Sequence, residues 1–328
     1  MSELHVVLGS GPLGRAVVHE LVKRGKAVKV VNRSGQMKDA PQGVIVAPGN
    51  VYDAASVRAL AQGVAVVYQC AQPEYHEWPE KFPPLIRAVL EGLSGSGARL
   101  VVGENLYLYG EVNGPLHEGL PYAAQTRKGK ARAQAAEAVL AAHRAGKVRA
   151  AIGRGSDFFG PYVLDSLFGE RAFYPALAGK AAQMAGSLDA PHTATYVEDF
   201  GRALVILGER DEALGQAWHA PNDQPRLTQR EFVTMVFEEI GQPPKMSGLG
   251  RHMMMIGGLF IPAARETVEM MYEFEKPFVV DSRKFEKAFG VTATPIREAI
   301  KKTVAWYRAN PETMNRRPVA RREAKRPA

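Results

Sequence analysis

Gly9-Ser10-Gly11-Pro12-Leu13-Gly14 decides how this chain is read. An apolar run, Leu4 to Leu8, feeds into this G-x-G-x-x-G, and a helical stretch from Arg15 to Lys23 follows. Gly25 ends that stretch, and a second apolar run, Ala27 to Val31, closes on Asn32-Arg33-Ser34. Strand, glycine turn, helix and strand within roughly thirty residues is the setting in which such a loop holds a dinucleotide. Gly9 permits the tight turn, and Gly11 lets backbone approach a pyrophosphate. Gly14 lets helix and strand pack closely, while Ser10, Pro12 and Leu13 carry the loop into the helix. The helix N-terminus presents free N–H groups and the positive end of its dipole to the phosphates. An NAD site usually carries an acidic residue after the second strand, to accept from the ribose hydroxyls. Here Asn32, Arg33 and Ser34 stand instead. A guanidinium forks onto a 2′-phosphate and a hydroxyl donates to it, so the expected cofactor is NADP(H). The plainer alternative is a solvated surface Arg33.

Working outward, strands alternate with helices. Gly43 to Ala47 reads as a strand, and Ala54 to Ala61 as a helix with Asp53 as N-cap. Val64 to Cys70 reads as a buried strand, Phe82 to Leu93 as a helix and Leu100 to Gly103 as a strand. Gln125 to Ala145 is a long Ala- and Arg-rich helix, and Arg149 to Arg154 a sixth strand. The expected fold is therefore α/β, a Rossmann-type doubly wound parallel sheet with a smaller C-terminal α-rich substrate lobe. In such sheets ligands lie beyond the carboxyl ends of the strands, so chemistry is expected after Leu8, Val31, Cys70, Gly103 and Arg154. Past Arg154 the rhythm changes: Phe173 to Leu177 looks strand-like and Ala217 to Ala220 is a strand. Thr228 caps a helix to Ile240 with Glu231 completing a capping box, and Pro295 to Asn310 is the last helix. Met253 to Ile261 and Ala264 to Tyr272 hold five of the eleven methionines. The expected organisation is a dinucleotide domain over 1–155 to which 187–222 returns, a lobe from 156–186 and 223–312, and a disordered basic tail over 313–328.

Composition narrows the function classes. The chain has 328 residues, 46% of them hydrophobic, without a run of membrane-spanning length. A strand within four residues of Met1 leaves no room for a leader, and the single Cys70 fits a reducing cytoplasm as a packed small hydrophobe. The net charge is +8, but the tail from Thr313 holds six basic residues against Glu323 alone; removing that +5 leaves +3. Specific nucleic-acid binding is not expected, nor a membrane partner. The eight histidines show no ligand spacing, so no metal is expected either. The expected partner is a small-molecule substrate, and the expected state a monomer or homodimer.

On these residues the chain resembles the extended or atypical short-chain dehydrogenase/reductases, in the broad class of NAD(P)-dependent epimerase/dehydratase proteins. The resemblance runs from Leu4 to about Asn310. Its landmarks are the glycine loop, Asn50 to Asp53, Gln69-Cys70-Ala71, Tyr109-Gly110, Phe158-Phe159-Gly160-Pro161, His192 to Phe200 and Trp306, in that order. The resemblance implies that Asn50, with Val51 beside it, meets the adenine, and that Cys70 and Ala71 line the ribose. It also implies that Arg154 runs past the nicotinamide and that Phe158, Phe159 and Tyr162 wall the substrate. The family's Tyr and Lys, four residues apart on the long helix, fall on Gly129 and Ala133, and its Ser falls on Asn105. A stray Tyr272-to-Lys276 match lies in the lobe.

Replacements for the missing acid/base set are Tyr107 with Asn105 beside it, then Tyr109 and Lys130. Extended backbone would put Asn105 and Tyr107 on one side. A cation near the start of the long helix (Arg127, Lys128 or Lys130) would lower a phenol's pKa. Two functions stay open: an NADP-dependent oxidoreductase acting on a carbonyl, enone or sugar-like molecule, or a non-catalytic NADP(H)-binding sensor or scaffold of the same fold.

Overall fold

The computed structural model describes residues 3–258 and 266–311; the expected tail over 313–328 and part of the methionine-rich stretch lie outside them. The first unit is a strand β1 (Leu4–Leu8), a helix α1 (Pro12–Lys23) and a strand β2 (Ala27–Asn32). The strand β3 (Ile45–Pro48), helix α2 (Ala54–Leu60), strand β4 (Val64–Gln69) and helix α3 (Trp78–Leu93) follow. The strand β5 (Arg99–Glu104), helix α4 (Arg127–Arg144) and strand β6 (Arg149–Arg154) complete the first half. The lobe contributes β7 (Asp157–Phe159), α5 (Glu170–Leu177), β8 (Ala182–Ala185) and β9 (Ala194–Tyr196). Then come α6 (Val197–Glu209), β10 (Ala217–His219), α7 (Gln229–Ile240) and β11 (Met246–Leu249).

Seven strands form one parallel sheet in the order β10-β6-β5-β4-β1-β2-β3, a Rossmann-type arrangement. Alternation along the strands feeds two cores. Val6, Leu8, Leu100, Val102 and Ile152 face α2, α3 and α4. Val7, Val66, Val101 and Ala151 face α1 and α6. The lobe has its own aromatic core, with Phe159, Phe168, Phe173, Phe232 and Tyr307 at its centre. It also reaches back, since Phe278 and Val280 join the first sheet core and Phe285 the second.

Two expected elements differ. Phe173–Leu177 is not a strand but the end of α5, because Ala172, Phe173 and Ala176 are buried at helical spacing. The helix α3 begins at Trp78, with Pro79 in its first turn and Pro83 and Pro84 within it. Asp53 caps α2 through Ala55, and Thr228 and Glu231 close the capping box of α7.

Candidate functional site

The glycine loop is built as a cradle. Gly9 sits at φ +99°, and a Cβ there would stand 2.8 Å from the Ala71 backbone. A Cβ on Gly14 would collide with the Gly9 carbonyl oxygen, whereas one on Gly11 meets nothing within 4 Å. Gly11 is the N-cap of α1, no side chain caps it, and Pro12 supplies the fixed φ of the first turn. The loop thus offers open backbone and an uncapped helix end at the carboxyl edge of β1, the fit a dinucleotide pyrophosphate requires. Cys70 lies under it, its backbone N–H donating to the Leu8 carbonyl at 2.9 Å, and burial pushes the thiol's pKa up.

After β2 the roles divide. Asn32 Nδ2 donates to Ser10 Oγ at 2.9 Å and to the Gln36 carbonyl at 2.8 Å. Its Oδ1 accepts from the Ser34 N–H, the Ser34 hydroxyl and the Gly35 N–H. Asn32 and Ser34 therefore shape an Asx turn, their polar atoms largely spent within it. Arg33 is exposed and bears no hydrogen bond or ion pair among the described residues. Farther along the edge, Asn50 is exposed and its Oδ1 accepts from the Tyr52 N–H at 3.0 Å. Val51 is buried in the sheet core.

Arg154, expected at the cofactor, and Tyr109, an expected acid/base residue, are locked in a buried row. Parallel register sets Glu104, Arg154 and His219 side by side at the ends of β5, β6 and β10. Arg154 spends its guanidinium on Glu104 (3.3 Å), Tyr109 (2.7 Å) and Tyr122 (2.6 Å). His219 Nδ1–H donates to the Asp281 carbonyl at 3.1 Å, so its Nε2 accepts the Tyr109 hydroxyl at 2.9 Å. Burial, with Arg154 nearby, lowers His219 to about 3 and keeps it neutral, while burial lifts Tyr109 to about 12.

Asn105 and Tyr107 are not on extended backbone. β5 ends at Glu104, and Tyr107–Tyr109 is a 3-10 turn whose first N–H donates to Asn105 Oδ1 at 3.3 Å. The Tyr107 phenol meets Tyr75 instead, oxygen to oxygen 3.5 Å, and its ring lies against Trp78. The expected cation does not lower it: burial and then Tyr75, Glu273 and Asp157 push its pKa up. Lys130 is exposed. Lys128 is the buried lysine, 4.6 Å over the Tyr75 ring, and its ammonium is held by Glu266 (2.5 Å) and Glu269 (2.7 Å). The Arg132 guanidinium lies 3.9 Å from the Trp78 ring centroid and 3.7 Å from that of Phe82, and it donates to Gln72 at 3.0 Å while its Nε and Nη1 bear no hydrogen bond among the described residues. At Gly129, the family's Tyr position, a Cβ would stand 2.5 Å from Ala124 Cβ and 2.6 Å from the Tyr107 carbonyl oxygen.

The lobe closes this side of the site with groups that no local spacing announces. His192 Nε2 lies 2.7 Å from Asp157 Oδ2 and its Nδ1 lies 3.1 Å from the Glu273 carbonyl, between the rings of Phe168 and Phe274. Asp157 follows β6 in Ser156-Asp157-Phe158, so its place after a strand end was a usable signal. Phe158 stacks on Phe200 and is half-buried. Phe159 is fully buried in the lobe core. Tyr162, at φ +65°, lies under the Arg15 guanidinium and against Trp306. Tyr272 and Lys276 do not pair: Tyr272 contacts Glu273 and Lys276 contacts Glu111. Among the described residues no group of three or more His, Cys, Asp or Glu is arranged to hold a metal, and no helix is long and apolar enough to cross a membrane.

The family model described as the NAD dependent epimerase/dehydratase family matches residues 6–219. Comparison with curated proteins gave no match. Among solved structures, the dTDP-glucose 4,6-dehydratase from Bacillus anthracis in complex with NAD superposes with a TM-score of 0.76 at 16% identity, over 94% of this chain and 97% of that one. The dTDP-glucose 4,6-dehydratase from Streptomyces venezuelae with NAD bound gives 0.76 at 18% identity, over 94% and 97%. The UDP-glucuronic acid 4-epimerase from Bacillus cereus in complex with NAD gives 0.74 at 15%, over 93% and 99%.

Proposed function

Because the chain belongs to the NAD dependent epimerase/dehydratase family, we propose that it is an NADP(H)-dependent oxidoreductase of that type, acting on a small carbonyl, enone or sugar-like substrate with a non-standard acid/base set. The observation that carries the cofactor reading is Arg33: exposed, unpaired among the described residues, and set where an NAD site would carry a carboxylate. Residues 9–14 would hold the pyrophosphate, Arg33 the 2′-phosphate and Asn50 the adenine. When bound, the nicotinamide supplies or accepts hydride.

The chain's own residues supply the proton chemistry. Asn105 keeps its amide N–H groups for a substrate oxygen once its Oδ1 is committed to the Tyr107 backbone. The Tyr107 phenol, its pKa pushed up, stays protonated through the neutral range and acts as donor rather than base. A developing alkoxide is more basic still, so the proton moves toward it. A second reading, a binding protein without turnover, is favoured by Gly129, where packing leaves no room for the family's Tyr. Calorimetric titration with NADPH and NADH tests the cofactor reading; equal affinities would sink it. NADPH consumption across aldehydes, ketones, enones and nucleotide sugars separates the two functions. Binding without turnover of any of them favours the sensor.

A further inference from the structure

Beside the loop that carries Arg33 stands a second guanidinium that the cofactor reading above does not use. Arg15 lies in α1, its backbone N–H donating to the Gly11 carbonyl at 2.9 Å. Its Nη1 donates to the Lys38 carbonyl, also at 2.9 Å. Lys38 belongs to the loop that Arg33 opens after β2. The same loop is tied to the start of α1 a second time, where Asn32 Nδ2 donates to Ser10 Oγ and to the Gln36 carbonyl. One tie is made by the neighbour of Arg33 and the other by Arg15 itself. In a Rossmann unit the ribose 2′ position lies against the residues that follow the second strand. Neither Arg15 nor Arg33 bears an ion pair among the described residues, and the loop's other charged side chains, Lys38 and Asp39, are exposed.

The lobe fixes where Arg15 stands. Its guanidinium carbon lies 4.4 Å from the centroid of the Tyr162 ring. That ring is backed in turn by Trp306, 5.0 Å between centroids, from the helix Ile296–Ala309. Tyr162 takes φ +65°, a left-handed conformation that bulky residues rarely adopt. A conformation of this kind persists where the surroundings over-determine it, and here they deliver an aromatic face to a cation of α1.

We propose that Arg15, together with Arg33, binds the cofactor's 2′-phosphate, and that Tyr162 is the positioning residue of Arg15. A phosphate dianion has acceptors for two guanidinium groups and the charge to match them. The Lys38 carbonyl engages Nη1 alone, so Arg15 has donors to spare. The inference rests on the NADP(H) reading. It adds that selectivity for the phosphate is set from two elements of the dinucleotide domain, one of them held in place by the lobe. Tyr162, expected to wall the substrate, then serves the cofactor side.

The test titrates the full-length protein with adenosine 2′,5′-bisphosphate and with 5′-AMP, which differ by the 2′-phosphate alone. Calorimetry should show the parent binding the bisphosphate at least about tenfold tighter. Arg15→Gln keeps a donor for the Lys38 carbonyl and removes the charge. It should cut that preference at least about fivefold, with 5′-AMP affinity and the melting temperature unchanged. Tyr162→Leu should cut it about threefold, the worth of a partly exposed cation–π contact, and Tyr162→Phe, which keeps the ring, should restore it. A preference that survives Arg15→Gln, an equal loss for both probes, a Tyr162→Leu variant that binds like the parent, or a Tyr162→Phe variant as weak as Tyr162→Leu overturns the proposal. A parent without the preference sinks the NADP(H) reading and this inference with it. A parent that has it, and keeps it in Arg15→Gln, sinks this inference alone.

Discussion

Tyr107 and Arg33 carry the residue-scale consequences. Tyr107→Phe keeps the ring against Trp78 and removes only the hydroxyl. Turnover of a substrate found in the panel should fall on the order of a hundredfold, with NADPH affinity unchanged. An unchanged rate would move the proton source elsewhere, and the exposed Lys130→Ala should leave the rate alone in either case. Arg33→Ala should weaken NADPH by about tenfold or more, the worth of a charge-assisted hydrogen bond, and leave NADH as it was. A parallel loss for both cofactors in the same titrations would show Arg33 serving the loop rather than the phosphate. Gly129→Ala puts a methyl group into contacts of 2.5 and 2.6 Å. Overpacking of that kind costs about 1–3 kcal/mol, against a smaller gain in helix propensity. A lowered denaturation midpoint is expected, and a raised one would mean that the turn before α4 gives way easily.

At the scale of elements, the row Glu104–Arg154–His219 ties three strand ends together and makes stability depend on pH. His219 binds its proton far more weakly folded, at about 3, than at its ordinary 6.5. The unfolded chain therefore takes up the proton first as pH falls. This contribution is complete above about pH 6.5 and drains away toward pH 3, at about 1.4 kcal/mol per pH unit for this one group. Urea denaturation at several pH values should show a shallower acid slope in His219→Gln than in the parent protein; parallel slopes would exclude His219 as the source. The row also marks where sequence reading stops. Glycine spacing and apolar runs announce β1, α1 and β2 because those signals are local. Tyr107 was expected on extended backbone next to Asn105, but it opens a 3-10 turn, its N–H donates to Asn105 Oδ1 and its phenol meets Tyr75. Arg154 ends a strand at the carboxyl edge, where cofactor residues lie, yet three partners from other elements close around it. His192 and the Glu273 carbonyl meet from 81 residues apart, a distance at which no spacing rule operates.

At the scale of the whole molecule, deleting Thr313 to Ala328 should leave the melting temperature and cofactor affinity unchanged, since that stretch has no apolar period. A clear drop in melting temperature would show that the tail packs on the body. The packing of α6 against α1 over one face of the sheet reaches further. Val7, Val66, Tyr68, Val101 and Ala151 all lie before residue 155, yet part of their cover, Phe200 to Leu207, comes some fifty residues later in the chain. On the ribosome, the first six strands are made while half of that face still lies bare. An apolar sheet face left waiting is a surface for chaperones and for aggregation. Synthesis must run to Glu209 before the chain can cover what its first half has exposed.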